Sequence, residues 1–338
     1  MASGRLTIVD IAKMAGVSRS TVSRAINNDS GISEETKEKI MEVIRSVNFR
    51  PNVNARRTVK RSCDCLGLYI GSRVLIRDAN ARVLSGVIEK CNEVSYDLVL
   101  RSSCSIDRLL DMYSEQKVDG FIILNPYPHD EEMLRRLEES GIPYACTAVC
   151  DGEEKYEYVD TDNRKAAYEA VAYLIAQGHR RIACLTETDC ISSVALREAG
   201  YRECMRDHGL AIPDNYLVYL NSHGQAMDME CLHQALDCGQ PPTAFFALSD
   251  EKAMRALFWL RDHHYRVPED ISIIGFDDLP EAISNYPLTT VKQDFYGRGY
   301  IACQNVLSRI SGKKTGKSTQ ILLPYQLVER ATVAPPKE

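Results

Sequence analysis

Residues 7–27 have the sequence TIVDIAKMAGVSRSTVSRAIN, and this stretch decides the fold of the N-terminal part of the chain. Thr7 precedes Asp10 by three residues, the spacing of a capping box at the start of a helix. Gly16 is suited to end that helix, because glycine readily adopts the left-handed conformation common at helix C-termini. The pattern predicts a first helix of about two turns. Its apolar positions are Ile11, Met14, Ala15 and Val17.

A second helix follows directly, and Ser18 is suited to cap it. Two short helices joined through a glycine form a helix-turn-helix. The inward positions of the second helix are Val22 and either Ala25 or Ile26. Its outward positions are Arg19, Ser20, Ser23 and Arg24. A third helix is predicted to begin at Ser33 and to bury Ile40, Val43, Ile44 and Val47.

Charge is distributed unevenly along the chain. Residues 1–62 contain 12 Lys and Arg against 6 Asp and Glu, a net charge of +6. The 338-residue chain as a whole carries −6, so residues 63–338 carry −12. A basic N-terminal segment on an acidic body indicates a separate module that binds an anion such as DNA.

Residues 7–27 closely resemble the DNA-binding headpiece of the lactose-repressor (LacI/GalR) family. The resemblance implies that Arg19, Ser20 and Arg24 contact base edges, where arginine suits the two acceptors of guanine. It also implies phosphate contacts from Thr7, Ser18, Thr21, Ser23, Asn27 and Ser33. For an isolated pair of arginines, a solvated helix face would be the simpler interpretation. The partner implied is double-stranded DNA with a palindromic operator, bound by a homodimer, because one headpiece occupies only half a site.

Residues 51–62 are similar to the hinge helix of that family. In the family, this helix pairs with its two-fold mate on DNA and wedges a leucine into the minor groove. The corresponding position here is Thr58, which has less apolar volume and lower helix propensity than leucine. We therefore expect weaker DNA bending, unless a shifted hinge brings Val59 to the groove. The residues expected at the minor groove are Asn52, Ala55, Arg56 and Thr58.

From Leu66 onward, short apolar segments alternate with helix-length segments, a pattern typical of parallel sheets with helices on both faces. Segments such as 118–124, 267–278 and 287–291 resemble the two-lobed, periplasmic-binding-protein-like core of the same family. The predicted fold is thus an α headpiece (1–50), a hinge (51–62) and an α/β core. The first lobe is predicted to comprise 63–160 and 292–322, and the second 161–291 and 323–338.

The resemblance implies a small-molecule effector bound between the lobes, at loops that follow the strands. The residues expected to bind it are Asp162, Ser193, Arg197, His223 and Asp277. An alternative for Asp277, and for Asp250, is that each caps a helix. Sugars are the commonest ligands of the family, but a purine or an organic acid is an alternative effector.

Other classes of protein are disfavoured by the sequence. The 12 cysteines lack the paired spacing of a zinc site, so we expect reduced thiols, no metal and no cofactor. Residues 312–318 have three residues between their glycines where a phosphate-binding loop needs four. An enzyme is therefore not expected. The absence of a long apolar run or signal peptide predicts a cytoplasmic protein without membrane contact, rather than a transport solute-binding protein. The C-terminus lacks leucine heptads, so a tetramer is not expected.

Overall fold

The computed structural model describes residues 6–26, 31–49, 62–71, 78–102, 104–150, 156–188, 192–220, 230–280, 284, 286–313 and 319–337. The chain forms two compact units, Met1–Cys63 and Asp64–Glu338. The predicted hinge residues Asn52, Ala55, Arg56 and Thr58 lie outside the described residues, as do Asn27 and His223.

The first unit contains three short helices, α1 (Ile8–Ala15), α2 (Arg19–Ile26) and α3 (Glu34–Ser46). The predicted capping box is confirmed, since Thr7 and Asp10 bond each other through side chain and backbone. Gly16 follows α1 with a φ of 67°, a conformation that glycine adopts at little cost. The small core of this unit is formed by Ile11, Ala12, Ala15, Val22, Ala25, Ile40 and Phe49.

One of the apolar positions named for α1 does not lie in the core. Met14 is 53% exposed, whereas Ala12 is buried. The small side chain of Ala12 fits against the neighbouring helices, and the longer Met14 lies on the outer face. The predictions for Val22, Ala25 and Ile40 are confirmed, and Val43, Ile44 and Val47 pack against the same core while partly exposed.

The second unit contains two six-stranded sheets, one in each lobe. The first-lobe sheet is parallel, with strand order β11-β5-β4-β3-β1-β2. Its strands are β1 (Cys65–Ile70), β2 (Asp97–Ser102), β3 (Gly120–Leu124), β4 (Tyr144–Cys146), β5 (Tyr158–Thr161) and β11 (Gln320–Leu323). Its helices are α4 (Asp78–Glu93), α5 (Ile106–Ser114), α6 (Glu131–Glu139) and α11 (Phe295–Ile310). Strands β1 and β3 are buried along their whole length, as the apolar runs predicted.

The second-lobe sheet has the strand order β12-β10-β9-β8-β6-β7, and only β12 is antiparallel to its neighbour. Its strands are β6 (Ile182–Thr186), β7 (Leu217–Tyr219), β8 (Ala244–Ala247), β9 (Ser272–Asp277), β10 (Thr289–Gln293) and β12 (Tyr325–Val328). Its helices are α7 (Asn163–Ala176), α8 (Ser192–Asp207), α9 (Glu230–Leu236) and α10 (Asp250–Asp262). Helices α7 and α8 pack on one face of the sheet, and α9 and α10 pack on the other.

The chain crosses between the lobes three times, after β5, after β10 and after β11. Each of the three predicted lobe boundaries lies one or two residues before the end of the strand at which the chain leaves the lobe. The boundary after residue 160 falls within β5, the boundary after residue 291 falls within β10, and the boundary after residue 322 falls within β11. In each case the strand continues until its last backbone pair with its neighbour is made.

Two glycines let helices α4 and α11 pack closely in the first lobe. A Cβ atom at Gly86 would overlap the carbonyl oxygen of Tyr296, and one at Gly299 would overlap the carbonyl oxygen of Val83. The helices therefore make backbone contact at this crossing. Within the described residues, none of the helices combines the length and apolarity needed to cross a membrane.

Candidate functional site

The exposed face of α2 carries the three predicted base-contacting residues. Arg19, Ser20 and Arg24 are all exposed, while Val22 and Ala25 on the opposite side of the helix are buried. The buried pair fixes the rotation of α2, so that Arg19 and Arg24 lie on the exposed part of the helix. Such a surface suits a major groove, which is wide enough to admit a helix.

Three of the predicted phosphate-contacting residues occupy helix N-termini. Thr7 caps α1, and Ser33 caps α3, where its Oγ accepts from the backbone N–H of Thr36. Ser18 Oγ accepts from the backbone N–H of Thr21 at 3.1 Å, as predicted for the cap of α2. Helix N-termini carry partial positive charge and favour phosphate. The Thr21 hydroxyl is 2.8 Å from Ser18 Oγ, and Ser23 is partly exposed.

In the second unit, Arg197 of α8 is the centre of a buried polar cluster at the carboxyl ends of the strands. Its Nε donates to Asn163 Oδ1 at 2.8 Å. Its Nη1 donates to the Leu248 carbonyl at 2.6 Å and to Asp277 Oδ1 at 3.3 Å. The guanidinium also lies 3.9 Å from the ring centroid of Phe276. Arg197 is only 5% exposed, and this burial lowers its pKa, although nearby Asp277 acts in the opposite direction.

Asp277 ends β9 and is tied to the crossing strand β10. Gln293 Nε2 donates to Asp277 Oδ1 at 2.7 Å. Burial raises the pKa of Asp277, while the charge of Arg197 and the hydrogen bond from Gln293 lower it. The predicted pair of Arg197 and Asp277 is therefore brought together by the fold, with Gln293 as a third member that the sequence analysis did not name.

A second acidic group, Asp160, joins the two lobes and was also missed. Asp160 lies near the carboxyl end of β5, where the hydroxyl of Ser193 in α8 donates to its Oδ2 at 3.2 Å. Arg298 of α11 forms an ion pair with Oδ1 at 2.8 Å. Arg298 also donates to Gln293 Oε1 at 2.6 Å. The predicted residue Ser193 thus contacts Asp160, and a continuous set of hydrogen bonds links α11, β5, β10 and β9.

Asp162 has a different position from the one expected. Its carboxylate caps α7 by accepting from the Lys165 N–H at 3.0 Å. It lines a shallow surface depression with Arg164, Lys165, Tyr168 and Glu203. Arg197 bonds the next residue, Asn163, instead of Asp162. The grip on a ligand predicted for Asp162 together with Arg197 therefore has no support in these contacts.

Asp250 does not cap its helix, so that interpretation is wrong. Ser249 caps α10, and Asp250 accepts from the Thr290 hydroxyl and from the Leu279 N–H at 2.8 Å. Burial raises the pKa of Asp250 to about 7, and the charge of Asp277 contributes in the same direction. Asp250 therefore connects α10 to β10 and to the segment after β9. Asp277, the other candidate cap, accepts from Gln293 and Arg197.

The first lobe contributes a polar cluster at the same edge of its sheet. Asn125 follows β3 with a φ of 44° and donates to Asn80 Oδ1 at 2.7 Å. The Thr147 hydroxyl, just after β4, accepts from the Asn125 N–H at 3.1 Å. A signal was available in the sequence for Asn125, which directly follows the segment 118–124, but not for Thr147. Among the described residues, no group of His, Cys, Asp and Glu side chains forms a metal site.

Two family models match the chain. The first, "Bacterial regulatory proteins, lacI family", covers residues 7–52, and the second, "Periplasmic binding protein-like domain", covers residues 171–333. The "Probable HTH-type transcriptional repressor ExuR" of Bacillus subtilis (strain 168) is 32% identical, with 97% of this chain and 98% of that protein covered. The "HTH-type transcriptional regulator CelR" of Thermobifida fusca is 31% identical, with 97% and 98% covered.

Solved structures agree with these matches. A lac repressor dimer bound to operator and the anti-inducer ONPF superimposes with a TM-score of 0.82 at 25% identity, covering 98% of this chain and 100% of that chain. The complex of the transcriptional regulator CelR with cellobiose has a TM-score of 0.70 at 30% identity, covering 97% and 100%.

Proposed function

The chain belongs to the lacI family of bacterial regulatory proteins, and from this premise we propose that it represses transcription by binding operator DNA as a homodimer. A small molecule bound between the lobes of the second unit controls that binding. The lac repressor relative is a dimer on its operator, and a two-fold dimer requires an approximately palindromic site. Its DNA target places its action in the bacterial cytoplasm. It acts by binding and not by catalysis, in keeping with relatives whose names describe transcriptional regulators.

The observation that carries this proposal is the outward face of α2. Arg19, Ser20 and Arg24 are exposed there, next to helix N-termini capped by hydroxyl side chains. The arginines supply base contacts, and the hydroxyls and N-termini supply phosphate contacts. Thr7, Ser18, Thr21, Ser23, Asn27 and Ser33 are assigned to the phosphates.

Replacing Arg24 tests the base-contacting role. Arg24→Ala is expected to weaken operator binding by about 1–3 kcal/mol, about 5- to 150-fold in Kd, with a smaller effect on scrambled DNA. Titration gel shifts on both DNAs at one salt concentration measure this. Arg45→Ala is the matched control, since Arg45 is an exposed arginine of α3 that carries no predicted DNA contact. Equal losses on operator and scrambled DNA would contradict a role in base recognition.

The effector role is assigned to the cluster around Arg197, with Ser193 and Asp277 as its predicted partners. Charge-assisted hydrogen bonds from a buried guanidinium suit polar ligands such as sugars. Arg197→Lys is expected to abolish the thermal stabilisation given by an effector found in a screen of sugars, nucleobases and organic acids. Arg202→Lys is the control, because Arg202 lies on the same helix with its side chain exposed and paired with Glu198. Unchanged stabilisation of the Arg197 variant would reject the assignment. Asp162 and His223 remain predicted contacts that the same screen can test.

For the hinge, we propose minor-groove contacts from Asn52, Ala55, Arg56 and Thr58, with weak DNA bending. Threonine unstacks a base step less effectively than leucine because it buries less apolar surface. Thr58→Leu is expected to increase the bend angle in a circular-permutation gel-shift assay. A strong central kink with the unsubstituted protein, unchanged by Thr58→Leu, would refute this proposal.

A further inference from the structure

A second buried guanidinium lies close to Arg197. Arg298, in the first turn of α11, is 3% exposed and reaches the carboxyl ends of β5 and β10. Its Nη2 forms the ion pair with Asp160 and donates to Gln293. Gln293 also donates to Asp277, and Asp277 accepts from Arg197, so the two guanidinium groups are connected through two side chains. Two guanidinium groups thus flank the junction between the lobes.

One donor of these two guanidinium groups is buried without a partner among the described residues. The Nε–H of Arg298 is buried and has no hydrogen-bond acceptor in the described part of the chain. Within the described residues, the hydrogen bonds of Arg298 come from Nη2, and those of Arg197 come from Nε and Nη1. Buried N–H groups in folded proteins are nearly always paired, and those of a charged group are the most costly to leave unpaired. The buried Nε–H of Arg298 therefore points to an acceptor other than the residues that the structure describes.

Asp160 cannot supply that acceptor by turning toward Nε. Its Oδ1 already accepts from Arg298 Nη2 and from the Thr161 N–H at 2.7 Å. Its Oδ2 accepts from the Val149 N–H at 3.1 Å and from the Ser193 hydroxyl. The carboxylate is thus held by partners on both oxygens, from both lobes.

Asp277 offers the complementary group. Its Oδ1 accepts from Gln293 and Arg197, whereas Oδ2 accepts no hydrogen bond from the residues that the structure describes. An ionised carboxylate can only accept hydrogen bonds. A hydroxyl group of a ligand would satisfy Oδ2, and a negatively charged group there would be repelled.

Resting on the proposed effector role of this cleft, we propose that the effector is a polyhydroxy carboxylate, with its carboxylate bound by Arg298 and Arg197 and a hydroxyl donated to Asp277. A carboxylate can accept a charge-assisted hydrogen bond from each of the two guanidinium groups, which a single neutral hydroxyl does not match. A neutral sugar can donate a hydroxyl to Asp277, but it offers Arg298 only an uncharged hydroxyl oxygen as acceptor. The preference for the acid is therefore the distinguishing property of this site.

The test compares acids with their neutral counterparts on the full-length protein. D-gluconate is paired with D-glucitol, D-glucuronate with D-glucose, and D-galacturonate with D-galactose, each by thermal shift and calorimetry. At least one acid is expected to bind about 10- to 100-fold more tightly than its counterpart, the factor given by hydrogen bonds to a charged group. The same acid is expected to change operator affinity in a gel shift.

Variants separate the role of Arg298 from folding. Arg298→Lys retains the positive charge beside Asp160 but lacks the Nε donor, so it is expected to lose about 10-fold or more of the preference for the acid. Its melting temperature without ligand reports whether it folds. Arg164→Gln removes a charge from the exposed pair with Glu203 and is expected to leave the preference unchanged.

The outcomes distinguish this inference from the proposed function. Neutral sugars that bind as tightly as the acids and control operator binding overturn the carboxylate class while leaving the effector role intact. An acid preference that survives in Arg298→Lys overturns the assignment of this residue. A protein that binds no operator in any of these assays contradicts the proposed function itself. No acid binding at 10 mM, with operator binding retained, also overturns the carboxylate class.

Discussion

Replacing Gln293 with leucine would remove one of the polar connections between the two lobes, the one at the crossing strand β10. Gln293 is 6% exposed, and its amide has a partner on each side. Oε1 accepts from Arg298 of α11 at 2.6 Å, and Nε2 donates to Asp277 of β9 at 2.7 Å. Leucine is similar in size and leaves no large cavity. The substitution therefore isolates the loss of two hydrogen bonds to buried charged groups.

The expected cost follows from these contacts. A hydrogen bond to a charged group contributes about 1.5–3 kcal/mol, and loss of one partner leaves the other desolvated. Arg298 retains Asp160, and Asp277 retains Arg197, so each charged group keeps one partner. We expect Gln293→Leu to lower the free energy of unfolding by about 3 kcal/mol, near the lower end for two such bonds.

Urea denaturation measures this change. Fluorescence reports on the second lobe, because Trp259, the single tryptophan of the chain, lies in α10. Far-UV circular dichroism reports on both lobes together. Gln326→Leu is the matched control, since Gln326 is exposed on β12. A loss below about 1 kcal/mol, or one no larger than that of the control, would refute the view that Gln293 ties the lobes together.

Two further substitutions test the packing and electrostatics of the second unit. With burial raising its pKa to about 7 from the ordinary 3.8, Asp250 holds a proton in the folded state that the unfolded chain has released. The free energy of unfolding of the unsubstituted protein should therefore fall by up to about 4 kcal/mol as the pH rises from 4 to 7. Asp250→Asn should not show this fall. Urea midpoints that change in parallel for both proteins across this range contradict the prediction. Gly299→Ala should lower the free energy of unfolding by about 2–3 kcal/mol, because its Cβ atom overlaps Val83. Gly239 has open space around it, so Gly239→Ala should change the urea midpoint little. Equal midpoints for the two variants would contradict the close packing of α4 on α11.

The helices of the first unit were predictable because their signals are local. The caps Thr7, Ser18 and Ser33 lie within three residues of the N–H groups that they accept from. The buried face of each helix follows from its apolar period. The exchange of Met14 and Ala12 could not be predicted from that period, because both positions are apolar and the close approach of other helices decides between them.

Strands were predictable where both faces are buried. Strand β3 (Gly120–Leu124) lies within the segment 118–124 named from the sequence, and all five of its residues are buried. Strands β7, β11 and β12 were not predicted as strands. They contain three or four residues and are partly exposed, so they lack the continuous apolar run that marks a central strand.

The pair Asp160 and Asp162 shows why the site was harder to predict than the fold. Both carboxylates lie in the segment that crosses between the lobes, and the sequence does not fix where β5 ends and α7 begins. With β5 ending at Thr161, Asp162 becomes the cap of α7 and Asp160 stays in the buried edge of the sheet. The partners that then hold Asp160, Ser193 and Arg298, come from positions 33 and 138 residues further along the chain. A buried charge is retained only where such distant partners meet it, so the identity of the acidic group at this junction is a property of the tertiary structure.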